Sequence, residues 1–288
     1  MELIDHRTKQ EIDKRVKKLI SEVGASAPPL NLDDVQAFLM IHKYYYDLSD
    51  PGLLDKIKFK LHIGSRRAFD IIAKISLKAL FLPDRNQIAI DSHVPKSKEK
   101  WVTAHEITHK ILPTHNQLML GDTAKTLDYD YHDMMEREAN YGASALIFMQ
   151  DKFSNDAEQF NCDINSVFQL SDRYKNSRTS TLRRFVETNK HRPLSAFVSK
   201  PIWRNGEEME PRCRYYIKSP MFEHLFSNID SDLLLAMIDA NCHRVSGGPC
   251  GDETKLLFDV NGVAHEFLFE SFYNKYDILT LITHIKQK

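Results

Sequence analysis

The chain has 288 residues, 42% of them apolar, 10% aromatic and 27% charged, the proportions of a globular protein long enough for two domains or one elaborated domain. Ten glycines and eleven prolines exclude a collagen-like, low-complexity or disordered chain. Thirty-nine Lys and Arg against forty Asp and Glu leave a net charge of −1, so bulk charge offers no attraction to nucleic acid or to a membrane surface.

The opening residues, MELIDHRTKQEIDKRVKKLI, have no long apolar core and no small-residue cleavage site, so no signal peptide is expected. The longest apolar runs, Ala143–Met149 and Leu233–Met237, fall far short of the roughly 20 residues that span a bilayer. Four cysteines (Cys162, Cys213, Cys242 and Cys250) are too few for a disulfide scaffold, and reduced thiols in a cytoplasmic protein are the expectation. Cys242-His243 followed by Cys250 matches no common zinc-knuckle spacing and is read as incidental.

Along the chain, Ile12, Val16, Ile20 and Val23 recur at helical spacing over 10–24. Pro28 and Pro29 end that run, and Asn31 or Asp33 can cap a second helix through Val35, Phe38, Leu39 and Ile41. A helix is expected over 68–78, then a hairpin of Ala79–Leu82 and Gln87–Ile90 around the turn-rich Pro83-Asp84-Arg85-Asn86. A helix follows over 97–111, its apolar stripe Trp101, Ala104, Thr108 and Ile111, and another runs from Tyr131 to Met149 with small residues at Ala139, Gly142, Ala143 and Ala145. Short helices are expected over 152–192. Strands then predominate (196–203, 212–217, 254–260 and 264–270), with helices over 230–240 and 277–285.

The helix over 97–111 contains His105-Glu106-Ile107-Thr108-His109. Residues four apart on a helix lie one turn above each other, with Cβ atoms about 5–6 Å apart. Two imidazoles so placed can reach one zinc ion, and Glu106 can take a proton from water on that ion. With 13 His and 16 Glu in the chain, roughly 0.03 such matches arise by chance. Glu136, 27 residues after His109, is the natural third ligand at the start of another helix. Asn140, one turn on, can orient a ligand histidine through a hydrogen bond. Glu138 points about 160° away from Glu136 and is the weaker choice, while His115 and His132 are alternatives with poorer partner helices. Taken singly, each histidine is as readily a buried core residue and Glu136 a first-turn carboxylate; the joint arrangement carries the argument.

The passage from Ile88 to Met149 resembles the ImmA/IrrE family of metallopeptidases. The resemblance rests on Ile90-Asp91-Ser92, on Thr103-Ala104-His105-Glu106-Ile107-Thr108-His109 and on Glu136-Arg137-Glu138-Ala139-Asn140. The amphipathic helix before Ala27-Pro28-Pro29-Leu30-Asn31-Leu32 is similar to the family's opening. The resemblance implies His105, His109 and Glu136 as metal ligands and Glu106 as general base. Thr108 stands where a glycine is frequent, Tyr141-Gly142-Ala143 replaces a Phe-Ala passage, and Leu146–Gln150 replaces a Leu-Leu-x-Pro ending. None of these changes removes a ligand. The implied fold class is α+β: a mainly helical zincin-like core with a small β-hairpin or sheet over 1–155, a helix-turn-helix-like segment completing that core over 156–193, and an α+β domain, sensory or partner-binding, over 194–288.

The implied activity is that of a cytoplasmic regulatory protease. It would cleave a helix-turn-helix transcriptional repressor and so link stress response to transcription regulation. Zn2+ is the expected cofactor, with Mn2+ or another divalent metal compatible with the same ligands. Tyr129, Tyr131 and His132 are the candidate donors to a developing oxyanion. The strand 87–90 is a place where an extended substrate can add. Two other readings follow from the residues. Arg173, Lys175, Arg178, Arg183 and Arg184 lie on a helix-turn-helix-like stretch and allow direct nucleic-acid binding. The metal site can also serve a non-catalytic regulator as a scaffold.

Overall fold

The computed structural model describes residues 4–47, 78–119, 129–201, 203–204, 207–208, 212–239 and 247–288. The helix expected over 68–78, but for its last residue, and the Cys242-His243 pair lie outside the described residues. The chain divides into two compact units, Met1–Gln150 and Asp151–Lys288.

In the first unit, helix α1 (His6–Glu22) is capped by Asp5, whose carboxylate accepts from the Arg7 and Thr8 backbone N–H groups, and it buries Ile12, Val16 and Leu19. Helix α2 (Leu32–Phe38) starts at Asn31, whose side chain accepts from the Asp33 N–H, so Asn31 rather than Asp33 is the cap. It stops at Phe38; Ile41, expected in this helix, lies beyond it. Strand β1 (His42–Tyr46) follows, an element absent from the sequence reading. Strands β2 (Ala79–Leu82) and β3 (Gln87–Asp91) form the expected hairpin. At its turn Asn86 is left-handed at φ 52, and its amide donates to the Leu39 and Met40 carbonyls at 2.8 and 2.7 Å. That pins the hairpin to the end of α2.

The sheet order is β1-β3-β2, with β1 parallel and β2 antiparallel to β3. The strand 87–90 is therefore the middle strand, flanked on both sides, and cannot accept an added strand as expected. Helix α3 (Lys96–Ile111) lies against β2 and β3 on one side and helix α5 (Tyr129–Ile147) on another; the short α4 (Pro113–Met119) follows it. Packed from both directions, α3 buries Val102, Thr103, Ala104, Glu106, Ile107, Thr108 and His109. Trp101, placed in its apolar stripe by spacing alone, is exposed. A helix flanked by sheet and helix has more than one buried face, which a single stripe misrepresents.

The second unit opens with helices α6 (Asp151–Glu158), α7 (Ile164–Tyr174) and α8 (Arg178–Thr188). Strands β4 (Leu194–Ser199), β5 (Trp203–Arg204), β6 (Glu207–Glu208) and β7 (Cys213–Lys218) follow, then helices α9 (Pro220–Leu225) and α10 (Ser231–Asp239). Strands β8 (Gly248–Phe258), β9 (Ala264–Tyr273) and β10 (Ile278–Gln287) end the chain. The five-stranded antiparallel sheet has the order β7-β4-β10-β9-β8. One of its faces carries a core of Phe197, Phe222, Phe226, Leu234, Phe267, Phe269 and Ile282.

The segment 156–193, read from the sequence as completing the first core, forms the last turn of α6 and all of α7 and α8 in this unit, and α8 packs on β4, β7 and β10. The helix expected over 277–285 is instead strand β10, the centre of the sheet. Every residue from Ile278 to Ile282 is buried, so both faces are apolar and the alternation that marks a half-exposed strand is missing.

Candidate metal centre

Helix α3 carries His105 and His109 one turn apart, and α5 brings Glu136 opposite them. Glu136 Oε2 lies 3.2 Å from His105 Nε2, and Oε1 lies 3.5 Å from His109 Nε2. The two Nε2 atoms are 3.1 Å apart. One ligand atom from each of the three residues falls within 4.8 Å of the others, the spacing of a set that can hold one ion. The close approach of α3 and α5 rests on Gly142: a Cβ there would lie 2.3 Å from the Thr108 Cγ2.

The outward ring nitrogens decide what the inward ones offer. His105 Nδ1 is 3.1 Å from Asn140 Oδ1, a carbonyl that only accepts. His105 therefore carries its proton on Nδ1 and turns a lone pair at Nε2 into the cluster. His109 Nδ1 is 2.9 Å from His115 Nδ1, and His115 Nε2 is 2.9 Å from Glu138 Oε2. The Glu138 carboxylate accepts from His115 Nε2–H, leaving the His115 Nδ1 lone pair to accept from His109 Nδ1–H. His109 then also presents a lone pair at Nε2. Two imidazole nitrogens and a carboxylate converging on one point can hold a cation between them, and two nitrogens with one oxygen suit zinc or a similar divalent ion.

The same groups set one another's protonation. Burial alone would push His105 down, but the hydrogen bond to Glu136 and the charges of Glu106 and Glu136 outweigh it and raise it. Burial pushes His109 down to about 4, keeping it neutral. Burial would raise Glu136, but hydrogen bonds from His105 and His109 hold its carboxyl well below the usual range. Glu106 is 5% exposed; burial pushes it up to about 7, against His105 and an N–H from Phe81 on β2, which lower it. A carboxylate poised near neutrality beside the cluster is suited to accept and return a proton. Tyr46 on β1, not singled out from sequence, is buried close enough to be affected: burial, then the charges of Asp91 and Glu106, raise its phenol.

The structure thus brings together His105, His109, Glu136, Glu106 and Asn140. Tyr129, Tyr131 and His132 fall in the first turn of α5, and their side chains lie outside the described residues. Both ring nitrogens of His115 are engaged by His109 and Glu138, so His115 is a neighbour of the ligand set and no member of it. Glu138, set aside in the sequence for pointing away from Glu136, reaches His109 through His115. A histidine six residues beyond His109 was the one available signal, and it says nothing of which group the ring meets.

A helix bearing two histidines and a glutamate, backed by a small mixed sheet and faced by a second helix with a carboxylate, defines a zincin-like core. Residues 57–186 match the family model of the IrrE N-terminal-like domain, Peptidase_M78, in agreement with the resemblance to the ImmA/IrrE family read from the motifs. A solved structure of a Mycobacterium tuberculosis transcriptional regulator is similar with a TM-score of 0.52, covering 96% of this chain and 88% of that one. At 11% sequence identity that likeness concerns the fold. No curated protein matches the chain in sequence. Among the described residues, no helix is long and apolar enough to cross a membrane.

Proposed function

We propose that the chain is a metal-dependent endopeptidase that regulates transcription by cleaving a helix-turn-helix repressor, with His105, His109 and Glu136 holding the ion and Glu106 as general base. The observation that carries the reading is the convergence of two histidine lone pairs and one carboxylate beside a buried glutamate. A divalent ion there supplies a Lewis acid that acidifies water and polarises the scissile carbonyl. The residues do the rest. Asn140 and His115 fix the two imidazoles so that their Nε2 atoms face one point. Glu106 takes the proton of the attacking water and returns it to the leaving amine, which its position near neutrality permits in both directions. The repressor as substrate, and the cytoplasmic setting, follow from the family's implied regulatory role.

Direct nucleic-acid binding through α7 and α8 finds less support. Arg173 pairs with Asp156 at 3.2 Å, Arg183 with Glu187 at 2.7 Å, and Arg178 lies over the Phe168 and Phe272 rings at 4.2 and 4.9 Å. These side chains are engaged with their own neighbours.

The first test is metal content, measured by elemental mass spectrometry on wild type and Glu136→Ala. About one zinc or manganese per chain, much reduced in the variant, is the expected result; well-folded wild type that takes up no metal after supplementation overturns the reading. Glu106→Gln should keep the metal and lose cleavage of the repressor by about 100-fold or more. Unaltered biological effect in that variant would assign the site to a scaffold.

A further inference from the structure

We propose that His115 and Glu138 form a positioning relay that holds His109 in its metal-binding tautomer and orientation. The inference rests on the metal reading of His105, His109 and Glu136.

The relay is a linear chain of three groups drawn from three elements: His109 near the end of α3, His115 in α4 and Glu138 in α5. His109 is 2% exposed, His115 1% and Glu138 8%, so water does not compete for these hydrogen bonds. The rings of His109 and His115 stand 4.9 Å apart and tilted by 47°, with the two Nδ1 atoms 2.9 Å apart. One proton lies between those two nitrogens, and its position is set from the far end. The Glu138 carboxylate, 2.9 Å away, accepts from His115 Nε2–H. His115 Nδ1 is then bare, His109 Nδ1 must supply the hydrogen, and His109 Nε2 is left bare towards Glu136. Reversing the chain would put an N–H on His109 Nε2, aimed at the place of the ion.

His105 obtains the same result from one residue, Asn140. The difference follows from the helix. At roughly 100° per residue, Glu138 and Asn140 lie on opposite margins of the α5 face that packs on α3, about 160° apart, with the buried Ala139 between them. Asn140 is on the margin of His105 and reaches it directly. Glu138 is on the margin of His109, and His115 fills the intervening gap. Cation-binding histidines commonly have their second nitrogen fixed in this way, and loss of the fixing group weakens binding by roughly ten- to hundredfold.

The test is zinc affinity by competition with a chromophoric chelator, together with the visible spectrum of the cobalt-substituted protein and the melting of the metal-free protein. It is run on full-length wild type, His115→Phe and Glu138→Gln. Phe preserves the ring but removes the acceptor for His109. Gln preserves the shape and can still accept from His115, but removes the charge. The expected result is zinc binding weakened by roughly ten- to hundredfold in His115→Phe and by less in Glu138→Gln, with shifted cobalt bands in both. If His115→Phe fails to fold, Glu138→Gln decides. A zinc affinity within about twofold of wild type and an unchanged cobalt spectrum overturn the relay while leaving the metal site standing. Wild type that binds no zinc removes the metal reading and the relay together.

Discussion

Two buried carboxylates in this chain are pushed up to about 7, chiefly by burial, with different consequences. Glu106 stands beside His105 and Glu136. Glu270 lies on β9 in the second unit, where one oxygen accepts from the Ile164 N–H at 3.3 Å and the other, Oε2, is buried without a hydrogen-bond partner. For Glu270 the folded form holds its proton to higher pH than the unfolded chain, whose carboxyl titrates near 4.5. Its contribution is therefore intact below about 4.5 and is lost as pH rises through about 7. Glu270→Gln keeps the acceptor for Ile164 and removes the charge. The expected outcome is a stability gain of about 1–3 kcal/mol at pH 8 and little change at pH 4.5, read from denaturant unfolding of both proteins. An equal effect at the two pH values would show that ionisation of Glu270 is not what limits stability. Nothing in the pattern around Glu270 announces burial: Phe269-Glu270-Ser271-Phe272 sets two polar residues side by side in the strand, and the Ile164 N–H that meets the glutamate comes from a helix 106 residues away in sequence.

The packing of α3 on α5 explains two departures from the family pattern at once. Thr108, where a glycine is frequent, places its methyl in the space that Gly142 leaves open. A Cβ at 142 would lie 2.3 Å from that methyl, 3.1 Å from the Thr108 hydroxyl and 3.2 Å from Ile12. The bulk is moved from one helix to the other and the approach is kept. Gly142→Ala should therefore destabilise the chain by about 1–3 kcal/mol through overpacking, although alanine is the better helix former. Thr108→Ser, which keeps the hydroxyl bond to the Ala104 carbonyl, should recover part of that loss when combined with it. Thermal melting of the two single variants and the double variant checks this, and strictly additive effects would refute direct contact. The helices themselves were legible because the His-Glu-x-x-His spacing and the apolar period are local. Strand β1 was not, since its aromatic run gains its place only by pairing with β3 some forty residues on. The relay through His115 was illegible for a similar reason: it depends on the angle at which α4 leaves α3.

At the scale of the whole molecule, the ligand set and every residue argued to orient it (His105, Glu106, His109, His115, Glu136, Glu138 and Asn140) belong to the unit Met1–Gln150. The family match, by contrast, runs on to residue 186, and the sequence reading assigns 156–193 to the same core. The fold divides these differently, because Leu182, Phe185 and Val186 of α8 are buried in a helix that packs on β4, β7 and β10. A chain of residues 1–150 should consequently bind zinc with an affinity close to that of the full protein, and extension to 193 should add little to it. Residues 151–288 should unfold cooperatively by themselves around their own aromatic core. Calorimetric zinc titration of 1–150, 1–193 and the full chain decides between the two divisions. Affinity recovered only when 151–193 is present would return α6, α7 and α8 to the peptidase core, and the β-rich remainder alone would then be the second domain.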